Sequence, residues 1–165
     1  PMVLHTPSVT KGSTASRSKT TEAHDHGELV LDRETAKCDA VEIMLDLKDD
    51  VGLADEQIVF THAHPDIASL VLEETDCYLS FTVGDETRPI TIEDVAQTIW
   101  DYGSDRIMID SDCAGNKQQD PVAVKEATLQ LCRLGIDADD VGTVASRNQI
   151  EVLDLDFDAD VASDR

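Results

Sequence analysis

Ile58-Val59-Phe60-Thr61-His62-Ala63-His64-Pro65-Asp66 is a short apolar run that ends abruptly in two imidazoles, a proline and a carboxylate. β-favouring residues followed by polar groups read as a buried strand that stops at the mouth of a pocket. The same grammar recurs in Pro1-Met2-Val3-Leu4-His5-Thr6-Pro7 and in Arg106-Ile107-Met108-Ile109-Asp110-Ser111-Asp112. Each is an apolar run capped by a possible metal ligand. Three strands that offer ligands at the same end describe one site, and chemistry is expected there.

Between these runs the spacing is helical. Ala36, Ala40, Val41, Met44 and Leu47 recur at three- and four-residue intervals and predict an amphipathic helix over 33–48, which Gly52 ends. Ile67, Leu70 and Val71 predict a helix of about ten residues after Pro65. Residues 77–83 are rich in Tyr, Phe, Leu and Val and read as a strand. Thr91-Ile92-Glu93-Asp94 has the form of a capping box with Asp in place of Glu, and its helix runs to Tyr102-Gly103. After the strand at 106–110, Asp120-Pro121 predicts an N-cap and first helical position, with Gly135 as the stop. Asp137 caps a further short helix, and 148–153 is helical.

The order is strand then helix, four times, in units of about 30 residues. Such alternation predicts an α/β fold with parallel strands joined by right-handed crossovers. Four units are half of an eight-fold barrel, and a complete barrel takes about 250 residues. One fold that fits this order is a partial (β/α)8 TIM barrel of four βα units over residues 1–153. An open four-stranded sheet is the competitor, and the half-barrel alone would leave two sheet edges unpaired. The first strand, continuous in hydrophobicity, fits a sheet covered on both faces. Two segments stand apart: a long loop insertion at 8–32, and an acidic flexible tail at 154–165. The apolar run opens at Pro1 with no initiator Met, so the start of a longer protein is expected to precede it.

Composition limits the partners. Of 165 residues, 35 are acidic and 13 are Lys or Arg, a formal charge of −22, while 41% are hydrophobic, enough for one core. An acidic coat repels phosphate backbones and lipid headgroups. Six lysines among so many carboxylates resemble proteins of halophilic archaea. At about 1 M salt the Debye length is only about 3 Å, and net charge there says little about partners. Cys38, Cys77, Cys113 and Cys132 form no C-x-x-C pair and suit reduced, mostly buried thiols in a cytoplasm. No membrane span or signal peptide is legible, so no membrane partner is expected.

His5, His62 and Asp112 stand at equivalent ends of the first, second and fourth strands. Imidazole nitrogen with carboxylate oxygen suits Zn, Mn or a similar divalent ion. Such an ion lowers the pKa of bound water towards about 7 and supplies hydroxide for hydrolysis. His64 is read as touching substrate or metal, or as capping the helix that follows with Pro65 and Asp66. His24-Asp25-His26 has the look of a small metal cluster on a loop. Lys11, Arg17 and Lys19 would steer a phosphate into an acidic mouth, or are solvated loop charges. Gly115-Asn116 shapes a substrate loop or makes a plain turn. Alternation puts residues two apart on one strand face, so Asp110 and Asp112 both qualify for the site.

The succession Pro1-Met2-Val3-Leu4-His5, Val59-Phe60-Thr61-His62, Tyr78-Leu79-Ser80-Phe81-Thr82 and Asp105-Arg106-Ile107-Met108-Ile109-Asp110-Ser111-Asp112 resembles the last four strands of the TatD-like metal-dependent hydrolases. These are barrels of the amidohydrolase superfamily, and several are deoxyribonucleases. The likeness runs to about Leu153 and includes Asn148. Asp110-Ser111-Asp112 matches the family's Glu-Thr-Asp or Asn-Ser-Asp signature; the loop at 8–32 departs from it. The resemblance implies that His5 and His62 bind one metal and Asp112 the other. It selects Asp112 over Asp110 and lets Asp112 take the proton from the attacking water. It also implies two divalent ions (Zn, Mn or Mg) in a complete enzyme. The family's His-x-His and bridging Glu would lie before Pro1, so the segment alone is expected to be incomplete.

The function expected is metal-dependent hydrolysis of phosphodiester or related ester bonds in a small-molecule or nucleic-acid substrate. Two alternatives stay open. One is an amidohydrolase-type enzyme acting on amides or lactones. The other is a non-catalytic half-barrel, remnant or subunit, that pairs through its sheet edges with a missing N-terminal half or with itself.

Overall fold

The computed structural model describes residues 2–5, 33–84, 90–113 and 120–155. Within them, strands β1 (Met2–His5), β2 (Ile58–Thr61), β3 (Tyr78–Thr82) and β4 (Ile107–Asp110) form one parallel sheet in the order β1-β2-β3-β4. Helix α1 (Arg33–Val51) precedes β2. A 3-10 turn (Pro65–Ile67) and α2 (Ala68–Leu72) join β2 to β3, and α3 (Ile92–Tyr102) joins β3 to β4. After β4 come α4 (Ala123–Leu134), α5 (Ala138–Gly142), a π-helical turn (Thr143–Arg147) and α6 (Asn148–Val152). The α/β class and the repeated βα order match the sequence reading. The loop at 8–32, with Lys11 and His24-Asp25-His26, lies outside the described residues, as do Gly115-Asn116 and the tail from 156.

Strand alternation gives the sheet two unlike faces. Ile58, Phe60, Leu79, Phe81, Ile107 and Ile109 point to one side, where they join a single core with Val41 of α1, Val71 of α2, Val95 of α3 and Leu131 of α4. On the other side Val59, Tyr78 and Met108 form a small cluster against Val152. The strand registers place Thr61, Ser80, Thr82 and Asp110 on that second side, towards the C-terminal ends. Apolar side chains thus fill the back of the sheet, while hydroxyls and a carboxylate occupy the front of its upper rim. Strand order runs in one direction without reversal, whereas a doubly wound sheet reverses at its switch point.

Local signals explain most boundaries. Thr91 caps α3 with a complete capping box, its hydroxyl accepting from Asp94 N–H at 3.1 Å while Asp94 accepts from Thr91 N–H at 2.9 Å. Gly103 (φ 83°) and Gly135 (φ 98°) end α3 and α4 in conformations that favour glycine. Helix α4 starts later than Asp120-Pro121 predicted, at Ala123. Asp120 instead builds a turn, accepting from Val122 N–H through its side chain (2.9 Å) and from Ala123 N–H through its carbonyl (3.1 Å). On α1 the inward stripe is Cys38, Val41 and Leu45, with Met44 beside it. Leu47, expected inward, is 57% exposed because that stripe turns it away from the sheet.

The two sheet edges differ. β1 pairs only with β2 among the described residues, and Met2 and Val3 are exposed, so the expected cover on both faces does not hold for this edge strand. β4 is not left unpaired. Asn148 Nδ2 donates to the carbonyls of Ile107 (2.6 Å) and Ser104 (2.8 Å), and Gln149 Nε2 donates to that of Ile109 (3.2 Å). Ile107 and Ile109 are the β4 residues facing away from β3, since Arg106 and Asp110 carbonyls serve Leu79 and Val83. Side-chain amides therefore occupy the acceptors that a fifth strand would use. Arg106 adds a second tie, donating to the carbonyls of Leu72, Thr75 and Cys77 and so fastening the end of α2 to the start of β4.

Gly84 follows β3 with φ 77°, and a Cβ there would overlap the Cβ of Ala123 at the start of α4. Gly84→Ala is expected to destabilise the fold by about 2–4 kcal/mol, combining left-handed strain with overpacking. A urea titration followed by circular dichroism checks this; an unchanged midpoint would contradict it.

Candidate functional site at the C-terminal strand ends

His62 and Asp112 converge although 50 positions separate them. In an unbroken ladder the β2–β3 register Phe60↔Leu79 puts Thr61 opposite Ser80, whose carbonyl would accept from His62 N–H. Ala63 N–H takes that carbonyl instead, at 3.0 Å. His62 is therefore an extra residue, a bulge with φ 56°. Straight alternation would send its side chain to the helix-covered face. The bulge brings the imidazole to the polar front, where Nδ1 lies 2.8 Å from Thr82 Oγ1. Asp112, two residues past the end of β4, also has positive φ (46°). Its Oδ2 lies 3.9 Å from His62 Nε2, with 10% of the His62 side chain and 32% of the Asp112 side chain exposed. Among the described residues only His62, Asp112 and Asp154 are non-glycine residues with positive φ. Left-handed backbone costs an ordinary residue about 1–2 kcal/mol, and such conformations cluster at functional sites.

Asp110 plays a different part from Asp112. Its Oδ2 accepts from Ser80 Oγ at 2.6 Å and its Oδ1 from Thr82 Oγ1 at 3.0 Å. Both hydroxyls belong to buried residues on β3. The carboxylate is thereby held along the front of the sheet, against β3, and its contact with His62 runs through Thr82. Alternation alone left both aspartates eligible; the hydroxyl partners separate them.

His64 is the cap of the 3-10 turn at Pro65–Ile67. Its Nδ1 lies 2.6 Å from Asp66 Oδ2 and 3.3 Å from Asp66 N. One nitrogen cannot donate and accept at once, and the short carboxylate contact makes Nδ1 the donor. The amide approach is then a weak secondary contact. His5 ends β1, in register with Thr61, and its side chain lies outside the described residues.

The donor set fits part of a cation shell. Two ligands about 2.0–2.2 Å from one ion, at a tetrahedral angle or wider, lie about 3.4 Å or more apart. The His62–Asp112 separation of 3.9 Å is slightly beyond that lower bound. Among the described residues no group of three or more His, Cys, Asp or Glu stands ready to hold a metal. The described chain thus offers two candidate ligands, one just past the end of β2 and one beyond β4.

None of the four cysteines is in a disulfide. Burial pushes the Cys77 thiol up, so it stays protonated and inert within the core. Cys113 and Cys132 are exposed, against the expectation of mostly buried thiols.

Ser80 and Thr82 were missed by the reading of site residues from sequence. The signal was present in Tyr78-Leu79-Ser80-Phe81-Thr82, where hydroxyls alternate with apolar residues in an otherwise core-forming strand. The bulge at His62 had no such signal, because nothing in Thr61-His62-Ala63 marks an inserted residue.

No family model, curated protein or solved structure matches the chain. No helix among the described residues is long and apolar enough to cross a membrane.

Proposed function

We propose that this chain carries one side of a divalent-metal-dependent hydrolytic centre of TatD-like type, acting on phosphodiester or related ester bonds. One observation carries the reading: left-handed backbone at two strand ends turns His62 and Asp112 towards each other at 3.9 Å. Two residues so far apart in sequence have no local reason to adopt that arrangement together. At that separation His62 Nε2 and Asp112 Oδ2 would share one ion, rather than hold one ion each as the resemblance implies, with His5 at the adjacent strand end as a further ligand. A bound divalent ion supplies Lewis acidity and an activated water for hydrolysis. Within the chain, Asp112 accepts the proton from the attacking water, and the hydroxyl network of Ser80, Thr82 and Asp110 keeps the His62 ring in place.

The barrel reading is supported by sequential parallel strands and by a core shared by α1 to α4 on one face of the sheet. On that reading further strands would join at β1, and closure at β4 requires the Asn148 and Gln149 amides to release the carbonyls of Ile107 and Ile109. That seal favours a second reading, a sheet that ends at β4 and joins a partner through β1 alone, as a subunit.

Hydrolysis of bis(p-nitrophenyl) phosphate with Mn2+ or Zn2+, by the chain together with the strands that complete its shell, tests the function. The rate is expected to fall at least about 100-fold in His62→Ala and Asp112→Ala, given that even outer partners of metal ligands are worth about 10–100-fold. Turnover of amide or lactone substrates in its place would transfer the reading to amidohydrolase chemistry. Equal rates in both variants would end it.

A further inference from the structure

Hydrogen-bond polarity along the front of the sheet gives Asp110 and Thr82 a role beyond packing. An ionised carboxylate only accepts, and Asp110 is contacted by Ser80 Oγ at 2.6 Å and by Thr82 Oγ1 at 3.0 Å. Thr82 has one hydroxyl proton, and that proton is committed to Asp110. The same oxygen lies 2.8 Å from His62 Nδ1, so it must act there as the acceptor. Nδ1 therefore carries the ring proton, and in the neutral imidazole the lone pair sits on Nε2, the nitrogen that faces Asp112.

We propose that Asp110, acting through Thr82, is a positioning residue that fixes His62 in its Nδ1–H tautomer and so presents Nε2 as a donor to a divalent cation. This deepens the hydrolase reading and rests on it for the identity of the ligand; the tautomer itself does not. A ring directly bonded to a carboxylate would have the same polarity, but here a buried hydroxyl stands between, and the direction is set from Asp110 two links away. Ser80 completes the device by occupying the second carboxylate oxygen, which leaves Oδ1 for Thr82. Thr82→Val keeps the shape and deletes the acceptor. Asp110→Asn can offer an amide donor to Thr82, which frees the hydroxyl proton to turn towards Nδ1 and reverses the chain.

Long-range 1H–15N correlation spectra of the His62 ring, recorded on the chain without metal at about pH 9, above the ordinary imidazole range, test this directly. The expected result is a protonated Nδ1 and an unprotonated Nε2 in the wild type, with a shift towards Nε2–H in Asp110→Asn and Thr82→Val. Thr82→Ser should restore the wild-type pattern. Titration with Zn2+ should show affinity reduced roughly 10–100-fold in Thr82→Val and recovered in Thr82→Ser. An Nε2–H ring in the wild type overturns the inference without any variant being needed. So does a tautomer that neither substitution moves. An Nδ1–H ring that switches as described, in a chain that takes up no divalent ion, upholds the network and removes the hydrolase reading instead.

Discussion

Asn148→Ala is expected to lower stability by about 2–4 kcal/mol, a large share of the 5–15 kcal/mol that holds a typical domain. Asn148 is 2% exposed, and its amide donates to the carbonyls of Ser104 and Ile107. Ser104 O keeps a second donor, the amide of Ile107 at 3.2 Å, so the main loss falls on Ile107 O at the sheet edge. Truncation also leaves a void between the π-helical turn, α6 and β4, which adds a cavity cost. For a chain of this size the melting temperature should drop by about 2–4 °C per kcal/mol. Asn148→Asp sharpens the test, because it preserves volume but sets an acceptor against two acceptors. It should be at least as damaging as alanine. Urea unfolding in about 1 M salt, where the acidic coat is screened, reads both; shifts below about 0.5 kcal/mol would show that the amide does not hold the edge.

His62→Ala and Asp112→Ala are each expected to reduce affinity for Zn2+ or Mn2+ by at least about 100-fold. The two contribute different elements: His62 a neutral nitrogen on a bulge in the β2–β3 ladder, Asp112 an oxygen just beyond β4. Neither position is replaceable by a neighbour. His64 is engaged by Asp66 at 2.6 Å, and Asp110 by Ser80 and Thr82. His64→Ala should therefore leave affinity within about threefold, and a comparable loss there would move the centre towards the turn at Pro65–Ile67.

Much of the frame was legible because each strand and helix carries its own signal. The runs ending at Thr61 and Asp110, the Thr91–Asp94 capping box and the stops at Gly103 and Gly135 are local, and local physics set them. The Asp120 turn was misread because Asp before Pro looks alike whether it caps a helix or builds a turn two residues before the cap. Leu47 was misplaced because two stripes compete on α1, and only packing on the sheet chooses between them. The front of the sheet was least legible. That Thr82 reaches His62, and that Asp110 rather than Asp112 meets the β3 hydroxyls, depends on strand register and on a one-residue bulge; both are set by tertiary pairing rather than by spacing. Likewise β4 looked like an open edge until the C-terminal helix brought Asn148 and Gln149 against its carbonyls.

Anomalous diffraction from crystals of the chain grown with Zn2+ or Mn2+ bears most directly on the centre. A peak about 2.0–2.2 Å from both His62 Nε2 and Asp112 Oδ2 is the expected result, and it should vanish in His62→Ala. Crystals that take up the ion at other residues while this pair stays empty would contradict the account.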